Sequence, residues 1–431
     1  MPRWLYFLLI FTVLAPILDV LHLPPLLIFL VAGLGILPLA ALIGVAVEQI
    51  AEHTGERIGG LLFATFGNAT ELIIGILALS QGLVQVVRAS IIGSIIANVL
   101  LVLGVSVCVG GFKHGRLQFD GRHANQYGSL LGLSIAGLLL PTVAELLALR
   151  THQTQVVERG VILSDFIAVV LLLGYLASIL FSVFRIGDKS NSEEDELDPV
   201  LGARSEAAIA RLLSYRRQLA QAGTQPGKSG VLRQIDTTVD AIIEHETEPG
   251  KRSEQEGQSL PPATSTTPKV AKHEPTKRSF PWLAVGLLAG ATAGVAWISD
   301  ILVSAIEPVT VALHWNAAFV GLVFVPLIGG LPEYFNTISM ALDKRIGMVL
   351  AASAGSSIQI ALLVAPILVL LSLVMPQRLD LVFSIVELAV LALATFLFGE
   401  MTKDGELVWL EGLLLVLLYV MMGGTVFIFG A

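Results

Sequence analysis

Eleven apolar segments, each about as long as a membrane-crossing helix, occupy most of this 431-residue chain. A helix needs about 20 apolar residues to cross the hydrocarbon region of a bilayer. Only 14% of the residues are charged, whereas soluble proteins carry about 25%. The sequence therefore predicts an all-α membrane protein in contact with the lipid bilayer, with about eleven transmembrane helices. The predicted spans are roughly 4–21, 25–47, 59–80, 88–111, 126–149, 161–184, 282–304, 316–341, 347–373, 380–400 and 407–430.

Charge and cysteine content exclude some functions. The net charge of −8 argues against nucleic acid as a partner. The single cysteine, Cys108, rules out an internal disulfide and a cysteine-based metal cluster. The first apolar segment follows Arg3 as a signal peptide would, but it leads through "HLPP" directly into a second apolar run. We therefore interpret 1–24 as an extra N-terminal transmembrane helix.

Lysine and arginine residues predict the orientation. With the N-terminus in the cytoplasm, twelve of them lie near cytoplasmic span ends and four near the opposite ends, as the positive-inside rule requires. Eleven spans then place the C-terminus on the opposite side. The polar segment 186–280 holds almost half of the chain's charged residues and has the composition of a disordered, cytoplasmic linker. A regulatory, cation-attracting role is the alternative for its acidic start.

An internal repeat relates the two sides of this linker. The stretch "FGNATELIIGILAL" aligns with "IGGLPEYFNTISMA", which places Glu71 on Glu333. The same offset aligns "ASIIGSIIAN" with "ASAGSSIQI". With five spans each, the repeats 25–185 and 281–431 enter the membrane in opposite directions, and transporters built in this way hold their substrates near the midplane. We expect two inverted five-helix repeats.

Each acidic residue is expected at an interrupted helix with oxygen ligands close by. Glycine, asparagine or proline residues flank both acids, and such interruptions free backbone carbonyls. An amide lies one helical turn from each acid, before Glu71 and after Glu333. Neighbouring helices offer further amides and hydroxyls. The predicted metal ligands are Glu71, Glu333, Asn68, Asn98, Ser94, Ser356, Gln359 and Asn336, with Ser357 as a further oxygen.

Two carboxylates among neutral oxygens suit a hard divalent cation. Ca²⁺ takes six to eight oxygen ligands in a flexible arrangement, and two glutamates neutralise its charge. Burial and mutual repulsion favour protonation of both acids when no cation is bound. The sequence thus predicts exchange of one divalent cation for two protons, with no cofactor. Asp165 and Glu387 lie nearer the ends of their spans, where structural and functional roles are equally open.

At these residues the chain resembles the cation/proton exchangers of the CAX type, within the calcium/cation antiporter superfamily. The resemblance rests on "GGLLFATFGNATELIIGILAL", "ASIIGSIIANVLLVLG", "GSSIQIALLVAPILVL" and several shorter pieces. It implies an eleven-span antiporter that moves Ca²⁺ out of the cytosol against protons. It also implies that Glu71 and Glu333 bind the ion, supported by Asn68, Asn98, Ser94, Ser356 and Gln359.

The second acidic repeat departs from the family pattern. It reads "GGLPEY", with Gly330 in place of asparagine and Tyr334 in place of histidine, and "LPE" resembles the sodium/calcium exchanger branch. Transport driven by Na⁺ or K⁺ is therefore an alternative, as are another divalent cation and a cation channel. No hydrolase motif supports an enzyme, and a homo-oligomer is compatible with the sequence.

Overall fold

The structure is a computed structural model that describes residues 6–54, 59, 61–62, 65–151, 160–184 and 281–429. Almost all of these residues are helical. The helices are α1 (Leu9–Val20), α2 (Pro25–Thr54), α3 (Ala69–Ser80), α4 (Val84–His114), α5 (Gly121–Arg150), α6 (Gly160–Phe184), α7 (Trp282–Leu313), α8 (Ala317–Gly329), α9 (Leu331–Leu342), α10 (Ile346–Val374), α11 (Ile385–Met401) and α12 (Trp409–Phe429).

Seven of the described helices are long and apolar enough to cross a membrane, and eight are if α8 and α9 count as one bent span. The helices α1, α3 and α11 are shorter, with 12, 12 and 17 residues. Together these helices lie where the eleven spans were predicted. Length and composition do not establish that the short helices cross, so the count of eleven stays a prediction. The predicted linker, 186–280, lies outside the described residues.

Both predicted interruptions are present. The axes of α8 and α9 meet at a bend of 58°. Gly330 occupies the bend, and Pro332 follows within the first turn of α9, where a missing backbone donor is harmless because no intrahelical acceptor exists there. In the first half, α3 begins after a turn at Gly67 and Asn68.

The two halves have corresponding elements. The helices α3 and α9 are both 12 residues long, and each carries its glutamate at the third position. Both α4 and α10 contain a π-helical turn just after the aligned Gly-Ser pair, at Ala97–Val102 and at Ile360–Val364. Such turns are rare and are frequent at functional sites. This correspondence supports the predicted repeat, and the inversion of the repeats stays a prediction.

Glycines bring the two halves into backbone contact within one packed unit. A Cβ atom on Gly93 of α4 would collide with the carbonyl oxygen of Leu322 in α8. A Cβ atom on Gly321 would likewise collide with the carbonyl oxygen of Val86. A second close crossing joins α4 to α12, where a Cβ on Gly412 would lie 2.6 Å from the backbone nitrogen of Cys108. Only glycine fits such approaches.

An extended segment, residues 375–384, precedes α11 and is called the strap below. The predicted span 380–400 is therefore wrong at its start, because helix begins only at Ile385. Ser384 caps α11 in a capping box with Glu387, whose carboxylate accepts a hydrogen bond from the Ser384 backbone N–H at 2.8 Å. This contact gives Glu387 a structural role. A short antiparallel pair, β1 (Leu117–Gln118) and β2 (Glu406–Leu407), completes the described secondary structure.

Alternate residues of the strap, from 379 to 383, are buried although its backbone forms no regular structure. Leu379 and Leu381 are fully buried. The backbone N–H groups of Leu379, Leu381 and Phe383 each donate, at 3.0 Å, to a side-chain hydroxyl oxygen. The acceptors are Ser372, Ser164 of α6 and Thr142 of α5, respectively. Buried backbone groups need such partners. The hydroxyl oxygens therefore accept the hydrogen bonds that the carbonyl groups of a neighbouring strand would accept in a sheet.

Two ion pairs fix the strap to the first half. Arg378 donates to both carboxylate oxygens of Asp165 on α6, at 2.6 and 2.7 Å. Asp380 accepts from Arg88 on α4 at 2.6 Å. Asp165 therefore anchors a connecting segment, which assigns it a structural role.

Candidate ion-binding site

Both acidic residues lie in the first turn of a helix. Glu71 follows the N-cap residue Asn68, and Glu333 follows the N-cap residue Gly330. The first turn exposes backbone N–H groups that have no intrahelical acceptor, and the helix dipole favours negative charge there. The local fold thus offsets part of the free energy needed to keep a carboxylate away from water.

One carboxylate from each half lies beside the break between α8 and α9. A Cβ atom on Gly329 would lie 3.3 Å from Glu71 Oε1, and a Cβ atom on Gly330 would lie 3.5 Å from Glu333 Oε2. The two glycines are consecutive, so carboxylates from both halves approach one two-residue stretch of backbone. Larger residues would occupy the space beside the acids. The paired glycines therefore leave room for one carboxylate from each half beside the break.

The Glu71 carboxylate is partly without hydrogen bonds. Its Oε2 atom is buried, and no described residue donates a hydrogen bond to it. Buried polar atoms in native structures are nearly always paired, so each exception needs an explanation. An intramembrane carboxylate is moreover costly and is usually functional. A carboxylate oxygen that lacks a protein donor is suited to accept a cation or a proton.

A chain of hydrogen bonds beside Glu71 connects the two halves. The Asn68 side-chain amide donates to Gln359 Oε1 at 2.6 Å, and Ser356 Oγ donates to Asn68 Oδ1 at 3.3 Å. The Asn98 amide in turn donates to Ser356 Oγ at 3.0 Å. The chain joins the start of α3 to α4 and α10. Four of the predicted ligands therefore lie together in one network.

The network extends to a residue that the sequence analysis did not identify. Ser353 of α10 donates a hydrogen bond to the backbone carbonyl oxygen of Asn98. That carbonyl lies in the π-helical turn of α4, where the regular helical bonding shifts. Ser357 donates to the Ser353 carbonyl oxygen at 2.9 Å and faces the Ile95 carbonyl at 3.4 Å. The only sequence signal was the serine spacing in "ASAGSSIQI".

Two of the neutral predicted ligands lie outside this network, as do the two glutamates. Ser94 is buried on α4, and no hydrogen bond joins its side chain to the described residues of the network. Asn336 is exposed, and no hydrogen bond connects it to the other seven predicted ligands. Its part in ion binding therefore stays a prediction.

The chemistry of the site is that of oxygen ligands. Among the described residues, no cluster of three or more His, Cys, Asp or Glu side chains is present. The two carboxylates are instead accompanied by amide, hydroxyl and backbone oxygens. Hard cations such as Ca²⁺ prefer oxygen donors, whereas soft metals prefer sulfur or imidazole. The donor set therefore favours a hard cation over a soft one.

Comparison with known proteins gives the family. The pattern of the sodium/calcium exchanger protein family matches residues 24–184 and 283–427, on both sides of the polar segment. A protein of Aphanothece halophytica named Ca²⁺/H⁺ antiporter is 32% identical over 94% of this chain and 90% of its own length. The Ca²⁺/H⁺ antiporter of Synechocystis sp. is also 32% identical, over 91% of this chain and 88% of its own.

A solved structure agrees with these sequence matches. The structure of native YfkE superimposes with a TM-score of 0.68, at 26% sequence identity, over 98% of this chain and 99% of that one. The long apolar helices and the matched proteins together indicate a multi-pass integral membrane protein. The match of both halves shows that the chain belongs to the sodium/calcium exchanger protein family.

Proposed function

We propose that this protein is a secondary active antiporter that exchanges Ca²⁺ for protons, with Glu71 and Glu333 as the two carboxylates that take either. The observation that carries the proposal is the approach of both carboxylates to the consecutive residues Gly329 and Gly330. The names of the similar antiporters support the choice of ions. No cofactor is needed for this exchange.

Charge balance explains why two carboxylates suit this exchange. Two ionised glutamates neutralise one Ca²⁺, and two protonated glutamates are also neutral. A charged group is strongly disfavoured in a low-dielectric interior. The site can therefore change the side of the membrane that it faces only while it is neutral. One Ca²⁺ would therefore exchange for two protons. Neutral oxygens complete the coordination, and the candidates are Asn68, Asn98, Ser94, Ser356, Gln359 and Asn336.

Alternating access between the two halves is the mechanism we favour. The site lies where elements of both halves meet, as in transporters built from inverted repeats. In this proposal 25–185 and 281–431 are the repeats and 1–24 is an additional transmembrane helix. The N-terminus and the linker 186–280 face the cytoplasm, and the C-terminus faces the opposite side. The oligomeric state does not enter the mechanism.

The second candidate function is Ca²⁺ exchange driven by Na⁺. The observation that favours it is the second acidic segment, "GGLPEY", where Gly330 supplies no amide beside Glu333. A site with different neutral ligands can select a different coupling ion. The amide network beside Glu71 still offers the ligands expected for Ca²⁺.

Transport into reconstituted vesicles separates the two candidates. Labelled Ca²⁺ uptake is measured with an imposed pH gradient and, separately, with an imposed Na⁺ gradient, and protein-free vesicles serve as the control. We expect the pH gradient to drive uptake and a protonophore to abolish it. Uptake driven by Na⁺ alone would favour the second candidate. Uptake that depends on the Ca²⁺ gradient and is unchanged by either imposed gradient would indicate a channel.

Deletion of residues 205–270 tests the proposed division of the chain. This segment lies within the polar linker, outside both proposed repeats. We expect the shortened protein to retain basal Ca²⁺ uptake driven by the pH gradient, although its regulation is free to change. Loss of uptake by a shortened protein that still inserts and purifies normally would contradict the assignment of 186–280 as a linker.

A further inference from the structure

The surroundings of Glu333 differ from those of Glu71 in one specific way. Asn68 precedes Glu71 by three residues and supplies an amide, but Gly330 holds the matching place before Glu333. A Cβ atom on Gly330 would lie 3.5 Å from Glu333 Oε2 and 3.8 Å from Tyr334 Cε2. The place of the missing amide is therefore bordered by the second carboxylate and by a tyrosine ring.

The Tyr334 hydroxyl is buried without an acceptor. The side chain is 8% exposed. Its oxygen is fully enclosed, and no hydrogen bond joins it to a described residue. Leaving a buried hydroxyl unpaired is unfavourable, whereas phenylalanine would fill the same space at no such cost. A hydroxyl retained in such a place is suited to a partner that is present for part of the transport cycle.

The Glu333 carboxylate borders the same Gly330 position as the Tyr334 ring, so it is a candidate acceptor for this hydroxyl. Tyr419 on α12 is also buried, and its own hydroxyl faces the carbonyl oxygen of Val323 at 3.5 Å. The phenol of Tyr419 therefore already has a backbone acceptor for its proton. An ionised carboxylate is a stronger acceptor than a phenol oxygen, so Glu333 is the preferred acceptor for Tyr334.

We infer that Tyr334 is a positioning residue for Glu333. Its O–H donates a hydrogen bond to the ionised carboxylate and holds it at the break beside Gly330. The second half, which has Gly330 where the first half has Asn68, would thus use a phenol as the polar group beside its acid. The inference rests on the proposed function, because it takes Glu333 to be an ion-binding acid.

The test compares two single-hydroxyl deletions. Tyr334→Phe and Tyr419→Phe each remove one buried hydroxyl and keep the ring. In reconstituted vesicles at a fixed pH gradient, we expect Tyr334→Phe to raise the KM for Ca²⁺ about tenfold, as expected for losing a hydrogen bond to a charged group. Its maximal rate should change far less. Tyr419→Phe should keep the wild-type KM.

A second pair of variants tests whether the hydroxyl acts through the carboxylate. Glu333→Asp keeps the charge but shortens the side chain by one methylene, so the carboxylate lies farther from its neighbours. In that background, Tyr334→Phe should raise the KM by much less than it does in the wild type. An equal rise in both backgrounds would show that the phenol does not act through Glu333.

The outcomes separate this inference from the proposed function. If Tyr334→Phe leaves the KM unchanged while Glu333→Gln abolishes uptake, the positioning role is wrong and the two-carboxylate site stands. If Tyr419→Phe raises the KM as much as Tyr334→Phe does, the two phenols act as a pair, and the role assigned to Tyr334 is again wrong. If Glu333→Gln transports normally, the proposed function itself fails.

Discussion

The helices α3 and α9 have the same length and carry their glutamates at the same position, but their surroundings differ. Beside Glu71, amides and hydroxyls from both halves form a hydrogen-bonded chain. Beside Glu333, a glycine and a buried tyrosine occupy the corresponding space. The charge and the backbone break are thus retained in both copies, whereas the neutral groups are exchanged. No neutral side chain can replace a carboxylate in balancing the charge of a divalent cation. A neutral polar group, in contrast, can be replaced by another.

The largest effect is expected when either charge is removed. Glu71→Gln and Glu333→Gln keep the side-chain shape, but each leaves the site unable to neutralise a divalent ion. Removing one partner of a buried charge pair costs about 3–5 kcal/mol, so Ca²⁺ uptake should fall by at least about a hundredfold. Uptake into vesicles measures this, with the amount of folded protein checked by gel filtration.

The matched control for the charge variants is Glu406→Gln. Glu406 pairs with Arg116 in an exposed ion pair at 3.0 Å, and such pairs contribute little. This variant should transport normally. Near-normal transport by either Glu71→Gln or Glu333→Gln would show that the two acids do not have equal roles. The comparison of α3 and α9 assumes that they do.

A smaller effect is expected when the amide of the first half is removed. Asn68→Ala deletes the group that bonds both Gln359 and Ser356, so Gln359 Oε1 loses this donor and the Ser356 hydroxyl loses this acceptor. Such a loss costs about 1–3 kcal/mol, which corresponds to about a tenfold to hundredfold higher KM for Ca²⁺. Proton coupling should persist, because both carboxylates remain. An unchanged KM would show that the amide network does not support binding.

Alanine substitutions at the two glycines of the break compare how closely each acid is confined. In Gly329→Ala the added methyl would lie 3.2 Å from Glu71 Cγ, so the acid must shift slightly. In Gly330→Ala the methyl would lie 3.0 Å from the carbonyl oxygen of Pro326, and the Glu333 carboxylate would be 3.5 Å away. We expect Gly329→Ala to raise the KM more than Gly330→Ala does when both are assayed in the same vesicles. The opposite order would mean that the contact with the Pro326 carbonyl disturbs the site more than the displacement of Glu71 does.

The smallest effect is expected at Asn336. If its amide is a ligand, Asn336→Ala should raise the KM for Ca²⁺ about tenfold, the lower end of the range because the residue is exposed. Adding Gly330→Asn should then restore affinity, and Gly330→Asn alone shows whether the new side chain is tolerated. A KM that does not change in Asn336→Ala would exclude the residue as a ligand.

Sequence reasoning predicted the features that depend on local pattern. The apolar segments predicted helices, and the glycine and proline residues around Glu333 predicted the bend that the structure shows. The contact between Asn68 and Gln359 joins residues 291 positions apart, so it depends on how α3 and α10 pack. The burial of the Tyr334 hydroxyl likewise depends on how α9 packs in the folded protein. No local pattern encodes such contacts.

The start of α11 shows the same limit at a helix boundary. The apolar residues of the strap from position 380 onward predict the beginning of a helix, because their composition suits either structure. The deciding groups are the hydroxyls of Thr142 and Ser164, which lie more than 200 positions earlier in the chain and accept hydrogen bonds from the strap backbone. Only the capping pair Ser384 and Glu387 marks the true start locally.

The strap has a consequence for the order in which the protein is assembled. Its backbone donors belong to the second half, but two of their acceptors and both ion-pair partners belong to the first. During synthesis, helices α4, α5 and α6 are complete long before the strap leaves the ribosome. The strap can therefore reach its buried place only after both halves have met, because unpaired backbone groups are not tolerated away from water. The second half cannot mature as an independent domain, and docking of the strap is expected among the last steps of folding.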